Sequence, residues 1–240
     1  MKICSISDLH GNLVCYPSDY WKDLWECEVL FICGDILPLN IQFDMNKSRK
    51  WLMKEFKPWA LDLPVEKVFI IGGNHDFFLE KISGKGQLNA KQVMKTLFPG
   101  NSYSKTKLVY LCDNSVEIEG VRFYGTPWVA DLARWAFFKN DEELSDAYDK
   151  IPRNVDVLLT HMPSLIGDTG TVMQYTGYNA YRQFGNAYLT KCIMERNIKW
   201  ALCGHVHSGN HRVTDAGNGC NVVNVSIKDE DYKVNYDVFQ

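Results

Sequence analysis

Six short apolar runs punctuate the chain, at residues 2–7, 29–33, 68–71, 108–111, 155–160 and 200–203. Each is built mainly from Val, Ile, Leu, Phe and Cys, without strict alternation of apolar and polar positions. A strand with one wet face alternates, whereas a continuous apolar run belongs to a strand covered on both faces. Two further pairings have hairpin character. Residues 116–118 and 121–124 flank Glu119-Gly120, a two-residue turn signal, and residues 222–226 and 233–239 predict a second hairpin at the C-terminus.

Between the strands, apolar positions recur at helical spacing. Trp51, Leu52 and Phe56, with the polar Glu55 at the same helical spacing, predict a helix over 48–59, with Pro64 beyond its end. Leu88, Val93 and Leu97 predict one over 87–98, stopped by Pro99-Gly100. Asn186 caps a third over 186–196, with Leu189, Ile193 and Met194 on one side. Strands alternating with helices, followed by a strand-rich end, predict an α/β fold of two packed sheets with helices on the outer faces. No repeat, low-complexity tract or linker interrupts residues 1–240, so one domain is expected.

The residues just beyond the strands matter more than the strands themselves. The apolar runs lead directly into Asp8-Leu9-His10, Gly34-Asp35, Gly73-Asn74-His75-Asp76, His161 and Gly204-His205-Val206-His207. Loops leaving the carboxyl ends of strands form the active-site crevice of open α/β sheets. Five such loops can converge while remaining far apart in sequence, with glycines at 34, 73 and 204 allowing sharp turns. Asp8, His10, Asp35, Asn74, His161, His205 and His207 then offer oxygen and nitrogen ligands for two adjacent divalent ions. Such a mixed set suits Mn, Fe, Zn or Co better than Ca or Mg, and Mn is the expected activator. Asp35 is the expected bridge between the ions.

His75 need not bind metal, since an imidazole beside the site could protonate a leaving oxygen near neutral pH. Asp76 is expected to orient His75 or another imidazole. His211 fits no motif and reads as structural. Trp128, Trp135, Phe137 and Phe138 read as core or rim packing.

Composition narrows the partners. A net charge of −3 with no basic block argues against a grip on long nucleic acid. No apolar stretch reaches the about 20 residues that span a bilayer, and because Met1 to Cys4 leads straight to Asp8 no signal peptide is expected. The 8 cysteines are scattered with no CxxC pair, and several sit in strand-like runs, so reduced thiols in a cytoplasmic protein are expected.

The ordered set D-x-H, G-D, G-N-H-[DE], H and G-H-x-H, from Asp8 to His207, resembles the calcineurin-like metallophosphoesterase superfamily. The resemblance implies a four-layer sandwich of two mixed β-sheets flanked by α-helices, with a dinuclear metal centre. It assigns Asp8, His10, Asp35 and His207 to one ion, Asp35, Asn74, His161 and His205 to the other, and His75 to acid catalysis. A hydroxide shared by the ions would attack phosphorus in line. Tyr124-Gly125-Thr126-Pro127-Trp128 and Thr160-His161-Met162-Pro163 look like the small metallophosphoesterase-domain proteins, some of which hydrolyse phosphodiesters, including cyclic nucleotides. The run Gly34-Asp35-Ile36-Leu37-Pro38-Leu39-Asn40 lacks the arginine with which serine/threonine phosphatases grip phosphate.

The expected activity is therefore hydrolysis of a small phosphoric ester, with diesters favoured because the motifs place no cationic clamp for a dianion. Arg134, Arg153 or Arg182 could supply one from loops. A phosphomonoesterase or a small nuclease on the same site is the alternative, and a non-catalytic metal-binding scaffold is a third.

Overall fold

A computed structural model describes residues 1–13, 26–84, 88, 90–98, 107–130, 132–176, 178–207, 211–234 and 238–240. Two sheets form its centre. In the first, β1 (Ile3–Ile6), β2 (Val29–Ile32), β3 (Lys67–Ile70) and β4 (Leu108–Tyr110) lie in that order, all parallel. The second contains β5 (Asn114–Ile118), β6 (Val121–Thr126), β7 (Val157–Thr160), β10 (Trp200–Cys203), β11 (Thr214–Asp215) and β12 (Asn221–Asn224). Its order is β11-β12-β10-β7-β6-β5, with parallel inner strands and antiparallel edges. A separate two-stranded ribbon joins β8 (Thr171–Thr176) to β9 (Tyr178–Gln183).

The continuous apolar runs explain the layering. Phe31 and Phe69 of the first sheet face Phe123, Leu159 and Leu202 of the second, forming the inter-sheet core. Phe31 sits 5.3 Å from Phe69 and 4.9 Å from Phe123 between ring centroids. The alternate residues, among them Leu30, Ile32, Val68 and Ile70, belong to the larger core shared with the helices. That core includes Leu52, Phe56, Leu79 and Val93 from α1 (Met45–Trp51) through α4 (Ala90–Leu97), the intervening helices being α2 (Lys57–Asp62) and α3 (Phe77–Ile82). Leu144 and Tyr148 of α5 (Asp141–Asp149) and Leu189 and Ile193 of α6 (Ala187–Glu195) join the same core. The expected α/β sandwich with outer helices is what the chain adopts.

Local differences have local causes. The first predicted helix extends from Met45 to Asp62 but passes through a π turn at Leu52–Phe56. Pro58 has no amide proton and its ring would crowd the carbonyl four residues earlier, which the wider turn accommodates. The second helix begins at Ala90, and Gln87 lies outside the described residues. Helices α3 and α5 add to the three the apolar spacing predicts, and Asn140 and Glu143 start α5 with a reciprocal capping box. The Glu119-Gly120 hairpin forms as expected, with φ of 51° and 78° at its two turn residues.

Among the described residues the C-terminal hairpin forms only at its tip, where Lys228 bridges Val234 antiparallel and the Asp229 amide donates to the Lys233 carbonyl at 3.0 Å; residues 235–237 of its second strand lie outside them. Both edges of β12 are occupied, by β10 and β11, so no edge remains for a returning strand. The chain instead crosses to the first sheet, where Ser226 bridges Ser7 and Phe239 bridges Ser5. The cysteine expectation also needs correction. Cys4 and Cys27 are disulfide-bonded, because pairing of β1 with β2 brings the segment just before β2 alongside Cys4. Cys33, Cys112, Cys192, Cys203 and Cys220 are free and buried, and Cys15 lies outside the described residues. Among those residues no helix is long and apolar enough to cross a membrane.

Truncating Phe31 removes a ring buried between both sheets. Phe31→Ala should lower unfolding free energy by about 3–5 kcal/mol in urea denaturation. Phe43→Ala, on a side chain 66% exposed, should change it by under about 0.5 kcal/mol. Similar small losses for both would contradict the two-sheet core.

Candidate metal centre

The strands that carry the motifs run parallel within each sheet, so their carboxyl ends lie on a common edge. β1 leads to Asp8 and His10, β2 to Asp35, β3 to Asn74 and His75, β7 to His161, and β10 to His205 and His207. Four of these residues adopt left-handed backbone: Asp8 at φ 61°, His10 at 45°, Asp35 at 53° and His205 at 70°. Non-glycine residues in that region are uncommon and cost of order 1–3 kcal/mol each. Cross-loop hydrogen bonds hold the geometry. The Asp8 amide donates to the Gly34 carbonyl at 3.1 Å, His10 to Asp35 at 2.9 Å and Gly204 to His161 at 3.1 Å. Of the glycines at 34, 73 and 204, Gly34 is the one with positive φ, at 97°. Gly204 is needed for closeness, since a β-carbon there would strike Ser7 Oγ and Asp8 Oδ2.

The side chains then form two groups around one carboxylate. In the first, Asp8, His10 and His207 bring ligand atoms within 4.8 Å of one another. His10 Nε2 lies 3.2 Å from His207 Nε2, which lies 3.5 Å from Asp8 Oδ1. In the second, Asn74 Oδ1 is 2.9 Å from His161 Nε2 and 2.7 Å from His205 Nδ1. Asp35 Oδ2 reaches both groups, at 3.8 Å from His10 Nε2 and 3.3 Å from His161 Nε2. The chain thus brings together all seven candidate ligands.

His75 enters the same space, its Nε2 also 3.8 Å from Asp35 Oδ2. Distance alone does not separate it from His10. It also shares a candidate metal-ligand group with His10 and Asp35, and its other ring nitrogen donates to Gln42 Oε1 at 2.6 Å. Gln42 is buried and carries no motif, so nothing in the sequence marks it. Asp76 takes a different role from the one expected. Its carboxylate accepts from the amides of Ile36 at 3.0 Å, Leu37 at 3.0 Å and Gly73 at 2.9 Å, fastening two site loops together. It does not orient an imidazole. An acidic side chain can satisfy several converging amides at once, and these loops present three.

Electrostatics fit a cationic occupant. Burial opposes ionisation of Asp8 and Asp35, yet neighbouring imidazoles hold both below the usual carboxylate range, His207 acting on Asp8 and His161 on Asp35. Despite its own burial, His161 is pushed up to about 9 by Asp35, a preference for positive charge that a bound ion would satisfy in place of the proton. Burial lowers His10 and His205 to about 4, keeping them neutral, the form that ligates metals. Buried charges need compensation, and a donor set of carboxylates, an amide oxygen and neutral imidazoles suits divalent transition metals. His10 Nδ1 is buried without a hydrogen-bond partner. The residues present therefore fit such ions.

Residues 1–209 match the family described as calcineurin-like phosphoesterase. The chain belongs to that family. It is 30% identical over 204 residues to a UPF0046 protein of Caenorhabditis elegans, covering 78% of this chain and 48% of that protein. It is 28% identical over 152 residues to human metallophosphoesterase domain-containing protein 1, covering 58% of this chain and 43% of the relative. The chain thus spans about half the length of these relatives. By fold it is similar to phosphopantetheinyl hydrolase from Mycobacterium tuberculosis, at a TM-score of 0.53 and 15% identity over 96% of this chain and 90% of the other. Another solved structure aligns at 0.64 with 14% identity, covering 99% of this chain and 98% of the other.

In this calcineurin-like phosphoesterase the two groups lie at the floor of a cleft of about 620 Å³. Trp135, Leu132, Phe184 and Met162 give it apolar walls, while Arg182, Glu230 and Tyr232 give it polar ones. Tyr232 reaches the site from the C-terminal crossing, its ring centroid 4.6 Å from that of His207. Of the three candidate arginines, Arg182 borders this cleft and Arg153 borders another. Trp128 and Phe137 are core residues, and the Trp128 indole donates to Asp113 at 2.8 Å. His211 faces the Ser226 carbonyl at 2.9 Å, in keeping with a structural role.

The fastening role of Asp76 can be measured. Asp76→Ala leaves three buried amides without their acceptor, at about 1–3 kcal/mol for each unsatisfied group before relaxation. The variant should unfold at clearly lower urea concentration and bind Mn²⁺ more weakly by calorimetry. Unchanged stability and affinity would remove the carboxylate from the scaffold of the site.

Proposed function

We propose that the chain is a metal-dependent phosphoric ester hydrolase acting on small phosphodiesters. The observation that carries this reading is the position of Asp35 Oδ2 between two groups of oxygen and nitrogen donors. Asp8, His10, Asp35 and His207 would hold one ion, and Asp35, Asn74, His161 and His205 the other. Bound there, divalent ions supply Lewis acidity toward phosphoryl oxygens and an activated water.

The chain's own residues do the rest. Gln42 fixes the His75 proton on Nδ1 in the neutral ring, so that Nε2 faces the cleft floor. When protonated, Nε2–H points where a leaving oxygen would sit and donates its proton to it. The apolar walls exclude water and accommodate an organic substituent, which a diester carries on both sides of phosphorus. Arg182 at the rim supports a second reading, hydrolysis of monoesters, because a guanidinium there offers the clamp a dianion needs.

One panel separates these readings. Aryl phosphodiester, aryl phosphomonoester, cyclic nucleotide and oligonucleotide should be compared with Mn²⁺ present and after chelation. The diester should turn over fastest and chelation should abolish activity. Faster monoester turnover selects the second reading, and full activity without metal rejects both.

His75 has its own signature. His75→Ala should retain metal and slow esters of poor alkyl leaving groups by about 10²–10⁴-fold. Esters of nitrophenol, which departs without a proton, should slow far less. Equal slowing of both would replace the acid role with phosphate positioning or charge stabilisation.

A further inference from the structure

Beside His75 the protein displays a run of aromatic surface that catalysis by the floor residues does not require. The Trp135 ring lies 4.5 Å from the His75 ring between centroids, and 6.1 Å from Phe77. Phe43 extends the surface outward, 4.9 Å from Phe77 and 6.2 Å from Trp135, while remaining 66% exposed. Trp135 and Phe77 are half-buried and Trp135 lines the cleft, so the exposed Phe43 continues an apolar surface outward from it, the kind of patch that marks a binding surface.

The loop beneath Trp135 is fixed. Its amide donates to the Leu132 carbonyl at 2.8 Å, and the next amide, of Ala136, donates to the Asn74 carbonyl at 3.1 Å. The indole is thus tied to the loop that carries Asn74 and His75. A ring held in place loses little freedom on stacking. On the cleft's other lining, Phe184 lies under the Arg182 guanidinium at 4.7 Å.

We infer that Trp135, extended by Phe43 and Phe77, is the leaving-group subsite and selects phosphodiesters whose leaving group is a planar aromatic ring. The inference rests on the proposed diesterase reading. His75 Nε2 is the nitrogen free to meet the leaving oxygen, since Nδ1 is taken by Gln42. A substituent departing past His75 therefore passes over Trp135, the ring packed against it. A planar ring gains stacking there, whereas a saturated chain gains only area burial.

The test uses the full chain loaded with Mn²⁺ and two methyl phosphodiesters with leaving groups of matched acidity, one aryl and one fluorinated alkyl. Matching the acidity removes any chemical advantage of the aryl ester. The wild type should favour the aryl ester by about 10–100-fold in kcat/KM, the range expected for stacking a ring on an indole. Trp135→Leu should bring that ratio close to one, and Phe43→Ala should reduce it in part. A wild-type ratio near one overturns the inference. So does a Trp135→Leu variant that slows both esters equally, which would make Trp135 a support for His75. Calorimetry with non-hydrolysable aryl and alkyl phosphonates gives a reading independent of turnover. Tighter binding of the aryl compound, lost in Trp135→Leu, sustains the subsite even if no diester is hydrolysed, in which case the diesterase reading alone fails. Equal affinities overturn the subsite.

Discussion

Two carboxylates, Asp8 and Asp35, are almost wholly withdrawn from water at the joint between two sheets. Burying such a charge is costly unless something positive meets it. The ion pairs they make among the described residues are with histidines alone. Backbone amides help, with His75 N–H donating to Asp35 at 2.8 Å and His205 N–H to Asp8 at 3.1 Å. These contacts draw the ends of five strands to one place. The parallel order of the inner strands, the crossing of the C-terminal segment and the buried Asp76 all serve that convergence.

The arrangement stores strain. Left-handed backbone at Asp8, His10, Asp35 and His205 persists because loop-to-loop hydrogen bonds and the inter-sheet core over-determine it. A protein freed of its site could relax these positions and gain stability, the usual opposition between stability and function.

Much of this is legible in the chain. Continuous apolar runs announce strands covered on both faces, and a motif after each of five runs announces converging loops. Glu119-Gly120 specifies its own turn. Other features are hidden for physical reasons. Apolar spacing carries a helix past Pro58 but does not announce the π turn at Leu52–Phe56, which is a tertiary accommodation. Where Ser226 and Phe239 pair depends on which strand edges are already occupied, a property of the sheet rather than of the segment. Gln42 and Trp135 acquire meaning only through their contact with His75, and Asp76 only through the Ile36 and Leu37 amides of the loop after β2 together with the Gly73 amide of its own loop. Cys4 and Cys27 read as separate thiols in the sequence because only strand pairing brings them together.

The central claim is that seven side chains hold two ions that share Asp35. Anomalous diffraction from Mn²⁺-loaded crystals, collected on both sides of the manganese absorption edge, tests it most directly. The account predicts two peaks in each chain. One lies among Asp8, His10 and His207, the other among Asn74, His161 and His205, and both lie within bonding distance of the Asp35 carboxylate. A single peak, or two peaks of which only one touches Asp35, would contradict it.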